Sequence, residues 1–357
     1  MTATFTETRL PLARRRQHGL SLVELMVSIV IGLLLLAGIS SLIAAQSGAR
    51  GELEKSARQI ENGRYAQTLL QEEIQHAGYF GQFSGAMTAL SALPALPCNS
   101  AANAATLTLL QSSLAMPLQG YNAPAMVPTE LANCLPAANF VAGTDILVVR
   151  RAEATNSPAT VATAQAGQIY LQTTPDALKT GVGPDPTPAT PTVYTLVQKN
   201  NTTPAELRRY VARIFYISPC NVYAAGATAC TAGADNGSPV PTLKRMDLGV
   251  SGGLVVATET PLVDGIQNMQ LDYGVASATS AVPGDTYATA PAVADWPNVM
   301  AVQVNLLARS SEASAGKVDA KTYSMGAAGS VGPFSDAYKR HVYTALARVV
   351  NPSSRRE

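Results

Sequence analysis

Charge is scarce in this chain: 14% of its 357 residues are Asp, Glu, Lys or Arg, against roughly a quarter in an average soluble protein. With a net charge of +1, it lacks the global basic footprint that holds nucleic acid, and no nucleic-acid partner is expected. Its three histidines (His18, His76 and His341) are too few for a histidine-rich metal centre, and no Cys-x-x-Cys spacing occurs. No Walker loop, Gly-x-Gly-x-x-Gly turn or His-Glu-x-x-His helix is present. No metal, cofactor or catalytic residue is therefore expected, and an enzyme is not the first reading. Proline is missing between Pro11 and Pro94, so nothing interrupts a helix across that interval. There is one tryptophan, Trp296, read as a packing residue rather than a ligand platform.

What is present starts at the N-terminus. No charged residue occurs from Leu25 to Ala49, and about 20 apolar residues suffice to span a bilayer as a helix. Upstream, Arg9, Arg14, Arg15 and Arg16 face a single acid, Glu7, so the positive-inside rule keeps the N-terminus cytoplasmic. Glu24 stands at the mouth of the apolar run. A carboxylate deep in lipid is costly, on the order of 2.5–3.5 kcal/mol on insertion scales. It therefore either marks the interfacial edge or has a partner in the membrane.

The string HGLSLVELMVS, His18–Ser28, resembles the class III signal of type IV pilins and pseudopilins. Its parts are a basic leader ending in glycine, then an apolar residue, then glutamate at the fifth mature position. The resemblance makes Gly19 the last leader residue and Leu20 the new, N-methylated N-terminus. Glu24 becomes an assembly carboxylate, and Arg14, Arg15 and Arg16 the leader's basic residues. A prepilin peptidase would cut after Gly19 on the cytoplasmic face. The new amine at Leu20 could then meet the Glu24 carboxylate of a neighbouring subunit, because a paired charge is tolerated in low dielectric where a lone one is not.

This implies three parts: a removed leader (1–19), a long helix (20–78) that is transmembrane over about 25–45, and a β-rich periplasmic or extracellular domain (79–357). Small or apolar residues at Leu53, Ala57, Ile60, Gly63, Ala66, Leu70, Ile74 and Ala77 recur at helical steps. Gly78 reads as the C-cap. A helix from Leu20 to Ala77 would be roughly 87 Å long at 1.5 Å per residue. Strand patterns follow at 143–151, 168–173, 192–198, 208–218, 299–310 and 341–350. In the fifth, Val302, Val304, Leu306 and Ala308 alternate with Gln303, Asn305, Leu307 and Arg309. Asn236-Gly237 reads as a tight turn. The fold class is thus α+β and pilin-like, a long N-terminal helix on a β-rich, loop-rich domain.

Four cysteines after an export-type N-terminus point to disulfides in an oxidising compartment. Loop-closure entropy favours Cys98–Cys134 with Cys220–Cys230; four free buried thiols are the alternative. Asp145, Asp247, Asp264 and Asp272 read as surface or turn residues rather than paired catalytic acids. The pairs Arg150-Arg151, Arg208-Arg209 and Lys244-Arg245 read as solvated strand ends rather than phosphate contacts.

Four further segments, LLQEEIQHAGYFG, GTDILVVRR, PLVDGIQNMQLDYGV and RHVYTALARVVNP, resemble the PilW family of minor pilins. The region between Phe80 and Ala142 carries no family feature. The resemblance implies a minor pilin that primes or supports type IV pilus assembly, for adhesion and twitching motility. Its partners would be prepilin peptidase, other minor pilins, the major pilin and a PilY-type tip adhesin. It would be single-pass in the inner membrane with a periplasmic C-terminus, then reach the pilus and cell surface. Its rivals are a minor pseudopilin of a type II secretion system (GspJ-like), a tip subunit binding surface ligands or DNA, and a membrane-anchored enzyme.

Overall fold

The structure, a computed structural model, describes residue 19 and residues 21–154, 160–161, 163–186, 190–276 and 286–354. Arg14, Arg15, Arg16 and Leu20 lie outside the described residues. The chain divides into two units at Glu54/Lys55, and the first helix, α1 (Leu22–His76), runs through the division.

In the first unit, α1 is long and apolar enough to cross a membrane. Its Leu, Ile, Val and Met side chains from Leu22 to Ile43 are half or more exposed. A helix that is apolar on every side has no solvent face of its own and calls for an apolar surrounding.

In the second unit, α1 buries a narrow stripe made of Gln59, Gly63, Ala66, Leu70 and Ile74. The lower part of the expected face is there. Leu53 and Ile60 are exposed instead, as is Ala57, and Gln59 takes the inward position above Gly63. The cause is chemical: Gln59 Nε2 donates to Ala308 O (2.8 Å) and Lys339 O (3.1 Å), so the surface it meets offers carbonyls. Full burial of Leu70 and Ile74 contributes about 1.5–3 kcal/mol each. At Gly63 a Cβ would lie 2.2 Å from the Tyr343 ring, so glycine sets the depth at which the helix sits. The helix stops where expected, with Gly78 at φ +73°, its N–H donating to Arg150 O (3.0 Å).

Seven strands form the larger sheet: β1 (Leu118–Tyr121), β2 (Ile146–Ala152), β3 (Ile169–Thr173), β4 (Leu178–Val182), β5 (Leu207–Ser218), β6 (Thr242–Ser251) and β7 (Leu254–Asp264). The path β1-β2-β5-β3-β4 branches at β5, which also pairs with β6, and β6 pairs with β7; every pairing is antiparallel. A second sheet has the order β13-β10-β8-β9, from β8 (Ile266–Val275), β9 (Thr286–Ala288), β10 (Val299–Arg309) and β13 (Arg340–Arg348). Between β10 and β13 the short strands β11 (Tyr323–Ser324) and β12 (Ser330–Val331) pair with each other.

The period of two along each strand divides the core. Leu147 and Val149 of β2 and Phe215 and Ile217 of β5 join the α1 stripe and the inner face of the second sheet. Ile146, Val148, Ala212, Ile214 and Tyr216 enter a second core with Phe80, Leu110 and Leu114. A sheet buried on both faces explains the unbroken apolar run ILVV. The second core is closed by residues 80–142, where α2 (Ala104–Ser112) starts on an Asn103 cap whose side chain accepts from Thr106 N (3.1 Å).

Both disulfides are formed as expected, Cys98–Cys134 and Cys220–Cys230, with Cα–Cα distances of 5.2 and 5.7 Å. Asp235, Asn236 and Gly237 all adopt positive φ in the turn.

Two strand expectations change. In β10, Val302, Val304, Leu306 and Ala308 are buried as expected, but so are Asn305 and Leu307. Residues 192–198 hold only an isolated bridge at Val197. There the Asp185 carboxylate takes the N–H groups of Thr192, Val193 and Tyr194, and Gln172 Oε1 takes that of Leu196. Side chains satisfy the donors that a neighbouring strand would otherwise have met.

Candidate functional site

The N-terminal candidates lie at the start of α1. Ser21 precedes the first helical residue. Its Oγ accepts from Val23 N (3.2 Å), while Glu24 Oε2 accepts from Ser21 N (3.3 Å). This reciprocal pair is a variant of the capping box Ser-x-x-Glu, with the hydroxyl on the second rather than the third helical N–H; it satisfies donors left open at a helix start and puts a negative charge at the positive end of the dipole. The signature is legible in Ser21-Leu22-Val23-Glu24, yet a reading centred on the lone carboxylate misses it. Among the described residues Glu24 has no cationic partner. Within one subunit the carboxylate serves as a cap, a hydrogen-bond acceptor beside the expected cleavage point. Among the described residues, nothing lies within 4 Å of where a Cβ on Gly19 would stand.

The acidic candidates are not simply surface residues, and two of them, Asp145 and Asp272, lie near enough to interact electrostatically. Asp145 and Asp272 are 1% and 2% exposed. Asp145 receives Ala123 N and Leu271 N, both at 2.7 Å, and so fastens the start of β2 to β8 of the other sheet. Burial pushes its carboxyl up to about 7, against the two backbone donors that favour the ionised form. Asp272 Oδ2 receives Asn305 Nδ2 (3.1 Å) and Ala327 N (3.2 Å). Asp264 accepts from Asn62 Nδ2 (2.7 Å), and Asp247 is held by Arg213 (2.8 Å) and Arg245 (2.7 Å). Each carboxylate is held by a backbone, side-chain amide or ionic partner, which is why turn-like spacing misplaces them.

The basic pairs are corrected in the same way. Arg150 is fully buried and donates to Met116 O and Gln119 Oε1, and burial lowers its pKa. Its neighbour Arg151 pairs with Glu73 of α1 at 3.5 Å. Arg208 pairs with Glu206 (2.9 Å) and lies over the Tyr79 ring. Arg209 faces Glu153 at 3.6 Å. These guanidiniums bind the fold's own carboxylates and carbonyls instead of forming one solvated basic face.

Lys244 is a second buried cation, and it belongs to a four-residue cluster. Its Nζ donates to Glu259 Oε1 (2.8 Å). Tyr216 OH (2.5 Å) and Tyr223 OH (2.6 Å) donate to the same carboxylate. Tyr223 sits in the Cys220–Cys230 loop, with Lys244 Nζ 4.3 Å from its ring centroid. Burial opposes the Glu259 charge, but Lys244 and the tyrosines together hold the carboxyl below its ordinary range.

A third cluster pins the excursion between β10 and β13. Arg340 donates to Asp319 Oδ2 (2.9 Å) and to both oxygens of Asp336 (2.6 Å each). Burial opposes the Asp319 charge, yet Arg340 and Tyr323 keep that carboxyl low; at Asp336 the Arg340 hydrogen bonds dominate. Both depressed carboxyls give the same sign. Their contribution is present above the unfolded value near 4 and is lost as pH falls through the folded values. Denaturation of the full chain in detergent should therefore show stability falling below about pH 4. Asp336→Asn should flatten that fall; an unchanged slope would remove the cluster from the account.

Trp296 is a packing residue, 3% exposed and edge-on to Tyr273 at 4.8 Å. Gly249–Gly253 spells Gly-Val-Ser-Gly-Gly, the letters of a serine-hydrolase elbow. It forms the tip between β6 and β7, with Gly252 and Gly253 at positive φ. Strand-turn-strand geometry replaces the strand-turn-helix that an elbow requires.

Comparison with known families gives two matches. Residues 228–351 match the family described as type IV pilus-assembly protein W (PilW), a stretch running from the Cys220–Cys230 loop through the second sheet. Residues 14–40 match the prokaryotic N-terminal methylation motif, which covers Gly19, Leu20 and Glu24. No curated protein and no solved structure matches the chain.

Proposed function

We propose that this chain, a PilW-like type IV pilin, is a minor pilin that supports type IV pilus assembly. The carrying observation is one sequence with two separate family features: the methylation motif at the head of an apolar helix, and the PilW match over β6, β7 and the second sheet. The motif and the single apolar helix fit a membrane-anchored pilin. In this reading prepilin peptidase removes residues 1–19, Leu20 becomes the methylated N-terminus, and residues from about 25 to 45 anchor the subunit in the inner membrane. The rest of the chain faces the periplasm and later the pilus surface. Other minor pilins, the major pilin and a PilY-type adhesin are its partners, and it acts by packing and presentation, without catalysis.

Glu24 provides the assembly contact. Inside one subunit its carboxylate caps Ser21 N–H; in a bundle it would accept the amine of a neighbour's Leu20, relieving an unpaired charge in low dielectric. Glu24→Ala should leave the globular unit folded and the leader cut, but reduce recovery of the subunit in sheared pili by about tenfold, the effect of roughly 1.4 kcal/mol. Immunoblots of the pilus and membrane fractions decide it, and equal recovery of variant and wild type would remove the role.

A clean deletion strain tests the function as a whole. Loss of surface pili and twitching with normal type II exoprotein secretion is expected. Normal pili with lost secretion would assign the chain to a type II pseudopilus.

A further inference from the structure

The larger sheet contains a fork. On one edge β5 pairs with β2 from Tyr210 to Phe215. On the other edge Arg209 is the last residue opposite β3, and Arg213 the first opposite β6. Residues 210–212 have no partner strand on that edge. The gap is closed at its far end by Val250 N donating to Gly167 O (2.9 Å). A concavity of about 370 Å³ opens at this fork, in the size range of small-molecule sites.

Its charged lining is unbalanced. Arg209, Arg213 and Arg245 all line it, against the single acid Asp247. Arg245 donates Nε to Asp247, and its two terminal nitrogens make no hydrogen bond among the described residues. Among the described residues the Arg209 side chain makes one ion pair, with Glu153 at 3.6 Å, and it remains a third exposed. Arg213 is shared between Asp247 and Glu73. Glu73 also meets Arg151, so the wider group is four guanidiniums against three carboxylates. Gln168 and Thr258 add neutral polar groups to the wall.

From this juxtaposition we infer that the fork binds a small multivalent oxyanion, bearing carboxylate or phosphate groups, between Arg209, Arg213 and Arg245. Planar guanidiniums with spare N–H pairs match such anions in bidentate fashion. The partly enclosed walls strengthen the pairing relative to open water. The strand gap supplies the space, because a continuous β3 or β6 would fill it. The site lies outside the N-terminal assembly region; Arg245 and Asp247 fall within the PilW-matched stretch while Arg209 and Arg213 precede it, and the inference stands independently of the assembly reading.

Isothermal titration of the full-length protein in detergent micelles tests it, with citrate and inorganic phosphate as separate probes at constant ionic strength. Saturable one-to-one binding of at least one probe is expected. Citrate alone would identify a carboxylate ligand, phosphate alone a phosphate ligand, and both a general oxyanion site. Arg245→Gln and Arg209→Gln should each weaken binding about tenfold or more, while Lys199→Gln on an exposed loop should not. Two arginines are varied separately because Asp247 keeps Arg213 when Arg245 is lost, and Arg209 stands apart from that pair. No saturation with either probe, or wild-type affinity in both arginine variants, would overturn the inference.

Discussion

Glu259→Ala should destabilise the globular unit by about 3–5 kcal/mol, the usual consequence of leaving a buried charge without its partner. Lys244 has no exposed surface, so its ammonium cannot recover hydration when the carboxylate is removed. Tyr216 and Tyr223 lose their acceptor at the same time, and unmade buried hydrogen bonds add about 1–3 kcal/mol apiece. The diagnostic is the double variant. Lys244→Met with Glu259→Leu replaces the ion pair by apolar groups of similar length, an exchange that is often near neutral. Urea denaturation of full-length protein in detergent should show the double variant more stable than Glu259→Ala alone. If the double variant is as unstable as the single one, packing rather than the uncompensated ammonium sets the effect.

Loss of the Cys98–Cys134 bridge should be the second large effect. The bridge spans 36 residues, and the other spans 10. On the chain-entropy account the first contributes about 4 kcal/mol and the second about 3. The longer loop carries α2 and β1, which close the second core over Leu110 and Leu114. Cys98→Ser with Cys134→Ser should therefore lower the denaturation midpoint more than Cys220→Ser with Cys230→Ser. The reverse order would mean that docking of Tyr223 on Glu259 outweighs loop closure.

The readable parts of the fold are those where one residue type admits one role. Glycine at 78 ended α1 because only the left-handed conformation leads the chain away there. Leu70 and Ile74 lay on the inward face because nothing polar competes for those steps. Gln59 was illegible because an apolar periodicity cannot register an amide recruited by two carbonyls from residues about 250 and 280 positions away. The same limit hid the strand-like run at 192–198, whose N–H groups go to Asp185 and Gln172. It also hid the burial of Arg150 and Lys244. A charged letter reads as solvated unless its distant partner is known, and Glu259 is 15 residues beyond Lys244 on another strand. At the N-terminus the spacing from Gly19 to Glu24 was legible, while the cap between Ser21 and Glu24 needed the helix start to be located.

Mass spectrometry of the N-terminal peptide, on this chain recovered from sheared pili, tests the central claim most directly. The account predicts a chain that begins at N-methylated Leu20 and lacks residues 1–19. A chain retaining Met1–Gly19, or one cut within the apolar run near Ala45, would contradict it.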